Sequence, residues 1–199
     1  LTEKKEMDFN LLAPILFVPS LVYFAIQLVR KRPGWAAAQE LGWALPAWRN
    51  LGEAVLVLLV LAGMAAVAFR MIPPGVLQGE QMNTAAYTGW PRSLGSLGLI
   101  FLLELLNRAL PEEVFFRGWL GGCLVRRLGF WMGNTLQAMI FLLPHLMLLT
   151  ITLALWPITI VQFAVGWLQG WLRWRSDSVI PSTVVHTITN VLGALPVLG

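Results

Sequence analysis

Residues 51–69 carry one ionisable side chain, Glu53, and are otherwise almost wholly apolar. About 20 such residues, coiled as a helix, match the roughly 30 Å hydrocarbon core of a bilayer. Comparable runs recur at 11–29, 94–110, 133–149, 157–171 and 179–198. This recurrence dictates an all-α fold: a polytopic transmembrane helical bundle of about six spans. Composition agrees. Hydrophobic residues make up 57% and charged residues 12% of the 199, against about 45–50% and about 25% in soluble domains.

The segments between the runs carry their own signals. Arg30-Lys31-Arg32 and Pro33-Gly34 stop the first run, which holds Pro14 and Pro19. Residues 35–50 mix Trp and Ala with Gln39, Glu40 and Arg49, the pattern of an interfacial amphipathic helix. Residues 70–92, with Pro73-Pro74-Gly75, Gly79, Asn83, Gly89 and Pro91, read as a long loop. Residues 94–128 read as one long or kinked helical unit, carrying Glu104, Asn107 and Arg108 before Pro111. At about 1.5 Å per residue this unit exceeds the bilayer core, so tilt or a break at Pro111 must absorb the excess. Trp35, Trp43, Trp48, Trp171 and Trp174 lie near run ends, as an aromatic belt would. Two regions follow: 1–93, with two spans and the long loop, and 94–199, a helical core.

Charge gives an orientation. With six crossings, Arg30, Lys31, Arg32, Arg49, Arg126, Arg127, Arg173 and Arg175 share one side, and Lys4, Lys5, Arg70 and Arg92 the other. The richer side is expected to be cytoplasmic, which puts the N-terminus outside. The opening residues Leu1-Thr2-Glu3-Lys4-Lys5-Glu6 are polar and do not resemble a cleavable leader. No continuous basic face suggests nucleic acid as a partner. The one cysteine, Cys123, excludes an internal disulfide and a multi-cysteine metal site, and reads as a packing residue.

Ionisable groups in spanning runs are costly and mark candidate functional sites. Pro111-Glu112-Glu113-Val114-Phe115-Phe116-Arg117-Gly118 places two carboxylates and a guanidinium there. Neighbours on a helix point about 100° apart, so Glu112 and Glu113 are not expected to face one spot. Glu113 and Arg117 stand at ion-pair spacing, which leaves Glu112 for acid–base work. A buried helix-locking network is the blander reading. The only two histidines, His145 and His186, also fall in apolar runs. His145 follows Pro144, whose ring frees the carbonyl of Ile140. His186 and Asn190 share one face of the last helix and offer two donors to a developing oxyanion, or interhelical glue. Gly-x-Ser-x-Gly and His-Glu-x-x-His motifs are absent. A carboxylate, two imidazoles and an amide remain. They suit activation of a water; a third and lesser reading is a metal site, since one Glu and two His are also ligands for Zn²⁺.

Glu112-Glu113-x-x-x-Arg117, then Phe141-x-x-x-His145, then His186-x-x-x-Asn190 resembles, in order and spacing, the CPBP family. That family comprises the type II CAAX prenyl proteases and the bacteriocin-processing or immunity proteins often labelled Abi. The resemblance covers roughly 94–198 and rests on the three motifs together. It implies a glutamate-dependent, metal-independent intramembrane endopeptidase without a cofactor. Glu112 and His145 would activate water, and His186 and Asn190 would stabilise the oxyanion. Glu113, Arg117 and Phe141 would support the site or position substrate. The expected partners are a peptide or membrane-protein substrate, prenylated or not, the lipid bilayer and further membrane-protein subunits. The cavity is expected to open to the cytoplasmic side. The alternative is a non-catalytic member: a binding or structural subunit of a membrane complex, or a bacteriocin self-immunity protein.

Overall fold

Glycine 129 reverses the chain. Its backbone (φ 76°, ψ 168°) interrupts α6, Gly122–His145, and turns it into a helical hairpin. Gly133 lies so close to the opposite arm that an added Cβ would sit 2.7 Å from Leu124 and Val125 backbone atoms. Farther along the same hairpin, Phe141 meets Phe116 edge-to-face, with ring centroids 5.0 Å apart. The break therefore lies just ahead of the run expected to begin at 133.

The computed structural model describes residues 12–73, 75–76 and 83–199, and the regular structure among them is helical. Around α6 stand α1 Leu12–Val29, α2 Gly34–Glu40, α3 Arg49–Met71, α4 Leu94–Glu104 and α5 Leu110–Glu112. After it come α7 Leu148–Ile151, α8 Trp156–Ser176 and α9 Ile180–Ala194. Helix α8 is central and packs on α3, on α6 and on α9. Their shared core joins Val57, Leu61, Phe116, Phe141, Val165 and Val185. Lys4, Lys5, Gly79 and Pro74 lie outside the described residues.

Polarity is distributed the wrong way round for water. Leu21, Val29, Leu51, Leu59, Val67 and Leu143 are exposed, whereas Glu104, Glu113, Arg117, Gln137, Gln169 and His186 are buried. An apolar exterior around a polar interior is what a hydrocarbon solvent selects. Arg49–Met71, Leu94–Ile151, Leu153–Ser176 and Ile180–Val197 are long and apolar enough to cross a bilayer, four stretches against the six expected. The apolar helix at the start, Ala13–Val29, is shorter, and Leu94–Ile151 is folded back at Gly129.

Two local readings change. Pro111 does not break the helix. Wide π turns at Leu105–Ala109 and Glu113–Gly121 flank it. Proline removes a backbone donor and crowds the preceding turn, and a wider turn relieves both. The amphipathic helix expected over 35–50 stops at Glu40. Gly42 (φ 86°) then turns the chain where an added Cβ would meet Arg173 Nε at 2.4 Å. From there the segment binds the α8–α9 turn: Val179 N–H donates to the Gly42 carbonyl at 2.9 Å, and Ser178 Oγ to the Ala44 carbonyl at 2.6 Å.

Gly133→Ala is expected to lower stability by about 1–3 kcal/mol through overpacking of backbone on backbone. Gly63→Ala, where an added Cβ meets nothing within 4 Å, is expected to be neutral or slightly stabilising. Thermal unfolding of the two variants in one detergent checks the contrast.

Candidate active site

Glu113 is the anchor. It opens the second π segment with its side chain wholly buried, and Arg117, four residues on, is equally buried. Arg117 Nη1 lies 2.8 Å from Glu113 Oε1, the pair expected from their spacing. The guanidinium also donates from Nη2 to the Val165 carbonyl at 3.3 Å. Its Cζ stands 4.2 Å from the centre of the Phe141 ring. Arg117 thus ties the π segment to α8 and to the returning arm of α6. A buried ion pair holds only when each charge has such additional partners.

His186 on α9 joins the two carboxylates. Its Nδ1 lies 2.9 Å from Glu113 Oε1 and its Nε2 3.8 Å from Glu112 Oε2. A carboxylate oxygen accepts, so Nδ1–H donates to Glu113 and Nε2 is left for Glu112 or for a bound group. Adjacent glutamates were not expected to face one spot. They meet opposite edges of one ring, and the wide turn reduces the angle between neighbours below that of an α-helix. The 3.8 Å gap exceeds a hydrogen bond and is of the kind one water can bridge. Glu112 Oε2 is buried and makes no hydrogen bond.

His145 closes α6. Its Nδ1 lies 2.8 Å from the Phe141 carbonyl. A carbonyl only accepts, so this nitrogen carries a proton, and Nε2 is left for another partner. Glu112, His186 and Arg117 all lie within electrostatic reach of this ring. Phe141 spaces the two histidines: its ring is 4.6 Å from that of His145 and 6.3 Å from that of His186. Pro144, directly before His145, lies within α6, which continues through it.

Asn190 faces a different partner. It sits one turn beyond His186, and its Nδ2 donates to Glu104 Oε2 at 2.9 Å. Glu104 is buried at the end of α4 and also accepts from the Tyr87 hydroxyl at 2.7 Å and pairs with Arg108 at 3.1 Å. Burial and then the Glu104 carboxylate push the Tyr87 hydroxyl up, which keeps it a donor. Neither Glu104 nor Tyr87 was singled out as a site residue. The rule that flagged Glu112, an ionisable group in an apolar run, applies equally to Glu104. Cys123 is partly exposed and accepts from Arg126 Nη2 at 3.4 Å. Among the described residues, no group of three His, Cys, Asp or Glu is placed to hold a metal ion.

The fold and this cluster define an integral membrane protein with carboxylates, imidazoles and an amide gathered inside a helical bundle. A family model described as type II CAAX prenyl endopeptidase Rce1-like matches residues 94–192. The chain belongs to this family, a family of CAAX-type membrane proteases. No curated protein and no solved structure matches the chain at the similarity required of a relative.

Arg117→Met is expected to destabilise the protein by about 3–5 kcal/mol, because it leaves Glu113 buried without its counter-charge. Glu113→Gln combined with Arg117→Met should recover part of that loss. Melting temperatures of the single and double variants test this.

Proposed function

We propose that the protein is a glutamate-dependent intramembrane endopeptidase that hydrolyses a peptide bond of a membrane-associated or lipidated substrate. The observation that carries the reading is Glu112 Oε2, buried, without a hydrogen bond, and 3.8 Å from His186 Nε2. A carboxylate with an unengaged oxygen in such a place can accept a proton from water. Glu112 and the Nε2 edge of His145 would hold that water. As the proton passes to Glu112, the hydroxide oxygen bonds to the scissile carbonyl carbon. His186, protonated on both ring nitrogens so that Nε2–H donates as well as Nδ1–H, and the second N–H of Asn190 would face the resulting oxyanion. The C–N bond then breaks, and the proton on Glu112 passes to the leaving nitrogen. Glu113, Arg117 and Phe141 keep His186 and the π segment in place. No metal or cofactor enters these steps.

The reading extends to topology. Counting α1 as a crossing and the Gly129 hairpin as two gives six spans. Region 1–93 then forms the flanking membrane part and 94–199 the catalytic core. We place the end bearing Arg30, Lys31, Arg32, Arg49, Arg126, Arg127, Arg173 and Arg175 in the cytoplasm. A cavity of about 530 Å³ supports an opening there: Arg126, Arg173 and Trp174 line it, together with Gln137 and Arg117. Substrate would approach along this cavity, which reaches Arg117 but is not lined by Glu112, His145, His186 or Asn190.

A second reading is favoured by one observation. His186 already spans both carboxylates, as a helix-locking network would. On that reading the chain is a binding or structural subunit, or a bacteriocin self-immunity protein.

Purified protein in detergent, offered membrane-anchored peptides with and without a prenyl group, separates these readings. Glu112→Gln and His145→Ala are each expected to lower kcat by at least about 10²-fold, and a chelator to change nothing. Activity lost to chelator would establish a metal site instead. A Glu112→Gln variant that keeps the cellular phenotype, with no cleavage by the parent chain, would establish the non-catalytic role.

A further inference from the structure

The contact between Glu104 and Asn190 has no part in the steps above. Two rungs join the 94–121 helix to α9. One is Glu113 Oε1 to His186 Nδ1, and the other Glu104 Oε2 to Asn190 Nδ2, each 2.9 Å. They pair a later residue of one helix with an earlier residue of the other, so the two helices run antiparallel. Each rung sets a carboxylate behind one of the two groups assigned to the oxyanion.

The chemistry of the second rung fixes an orientation. A carboxylate offers only acceptors, so it must meet the nitrogen of the Asn190 amide and not its oxygen. A planar amide with one N–H committed to Glu104 has its other N–H held in a known direction. Glu104 is itself immobilised. Its other oxygen accepts from Tyr87 at 2.7 Å and from Arg108 at 3.1 Å, and its side chain is 2% exposed. Asn190 is only partly buried, so without this contact its amide would be free to rotate. Tyr87 comes from the α3–α4 connection and packs against Ile100, Ala194 and Val197. That connection thereby joins the support of the site.

We infer that Glu104, braced by Tyr87, is a positioning residue that holds the Asn190 amide with one N–H directed at the oxyanion. The inference rests on the hydrolytic reading above. It adds to that reading a residue outside the three sequence motifs.

Kinetics of Glu104→Gln, Asn190→Ala and the double variant test it, with Glu112→Gln alongside. Asn190→Ala is expected to lower kcat by about 10²-fold, the scale of one lost oxyanion donor. Glu104→Gln should lower kcat by about 10-fold or more with KM little changed, since only transition-state binding is lost. The double variant should be no slower than Asn190→Ala, because Glu104 acts through Asn190. The exchanged pair E104Q/N190D restores a hydrogen bond between the helices but removes the donor. It should melt near the parent temperature and still cleave no faster than Asn190→Ala. If Glu104→Gln does not accumulate in the membrane, Tyr87→Phe serves in the same cycle and should also lower kcat without a further loss on Asn190→Ala. Wild-type kcat in Glu104→Gln, with Glu112→Gln inactive, overturns the positioning role and leaves the enzyme reading standing. A further drop when Glu104→Gln is added to Asn190→Ala also overturns it. Cleavage undiminished in Glu112→Gln overturns the hydrolytic reading itself, and the inference with it.

Discussion

The buried pair of Glu113 and Arg117 holds this structure together. Neither charge reaches solvent, and each is acceptable only because the other is 2.8 Å away. Their remaining contacts decide where the helices go. Arg117 reaches the Val165 carbonyl and the face of Phe141, and Glu113 reaches His186. One ion pair therefore fixes α8, the returning arm of α6 and α9 against the π segment. Apolar packing cannot supply such register in lipid, where side chains gain little by turning inward. The expense of burying charge is what makes the arrangement unique: any slip of one helix would strand a formal charge.

The π segments add geometry that an α-helix would not give. A wider turn brings successive residues closer in angle, and Glu112 and Glu113 address opposite edges of one imidazole. The same widening accommodates Pro111. A proline that reads as a helix breaker here marks where the helix changes pitch, beside the residues that need the change.

Much of this was legible beforehand, for physical reasons. Helices in lipid must satisfy their own backbone, so apolar runs of the right length announced α3, α8 and α9 closely. Polar groups in those runs announced Glu112, Glu113, Arg117, His145, His186 and Asn190 because burial there is costly. The Glu113–Arg117 contact followed from spacing. Contacts between helices did not, since nothing local says that Asn190 meets Glu104 or that His186 meets both carboxylates. A reversal between 128 and 133 followed from the runs that end and begin there, but not which residue makes it, because glycine is common in apolar helices. Only the backbone angle shows that this one turns the chain, whereas Gly63 does not. The end of α2 was missed because Gly42 is needed for a contact with Arg173, far along the sequence.

The hairpin at Gly129 carries an implication for assembly. It brings Phe141 and His145 beside Phe116 and Arg117 by a fold-back that is local in sequence. This half of the polar cluster can form as soon as the two arms are in the bilayer. His186 and Asn190 arrive on α9, which the ribosome makes after the α-helices it docks against. Until then Glu113 has Arg117 but not His186, and Glu104 lacks Asn190. The order of synthesis thus withholds a finished site from the membrane until the bundle around it has been built.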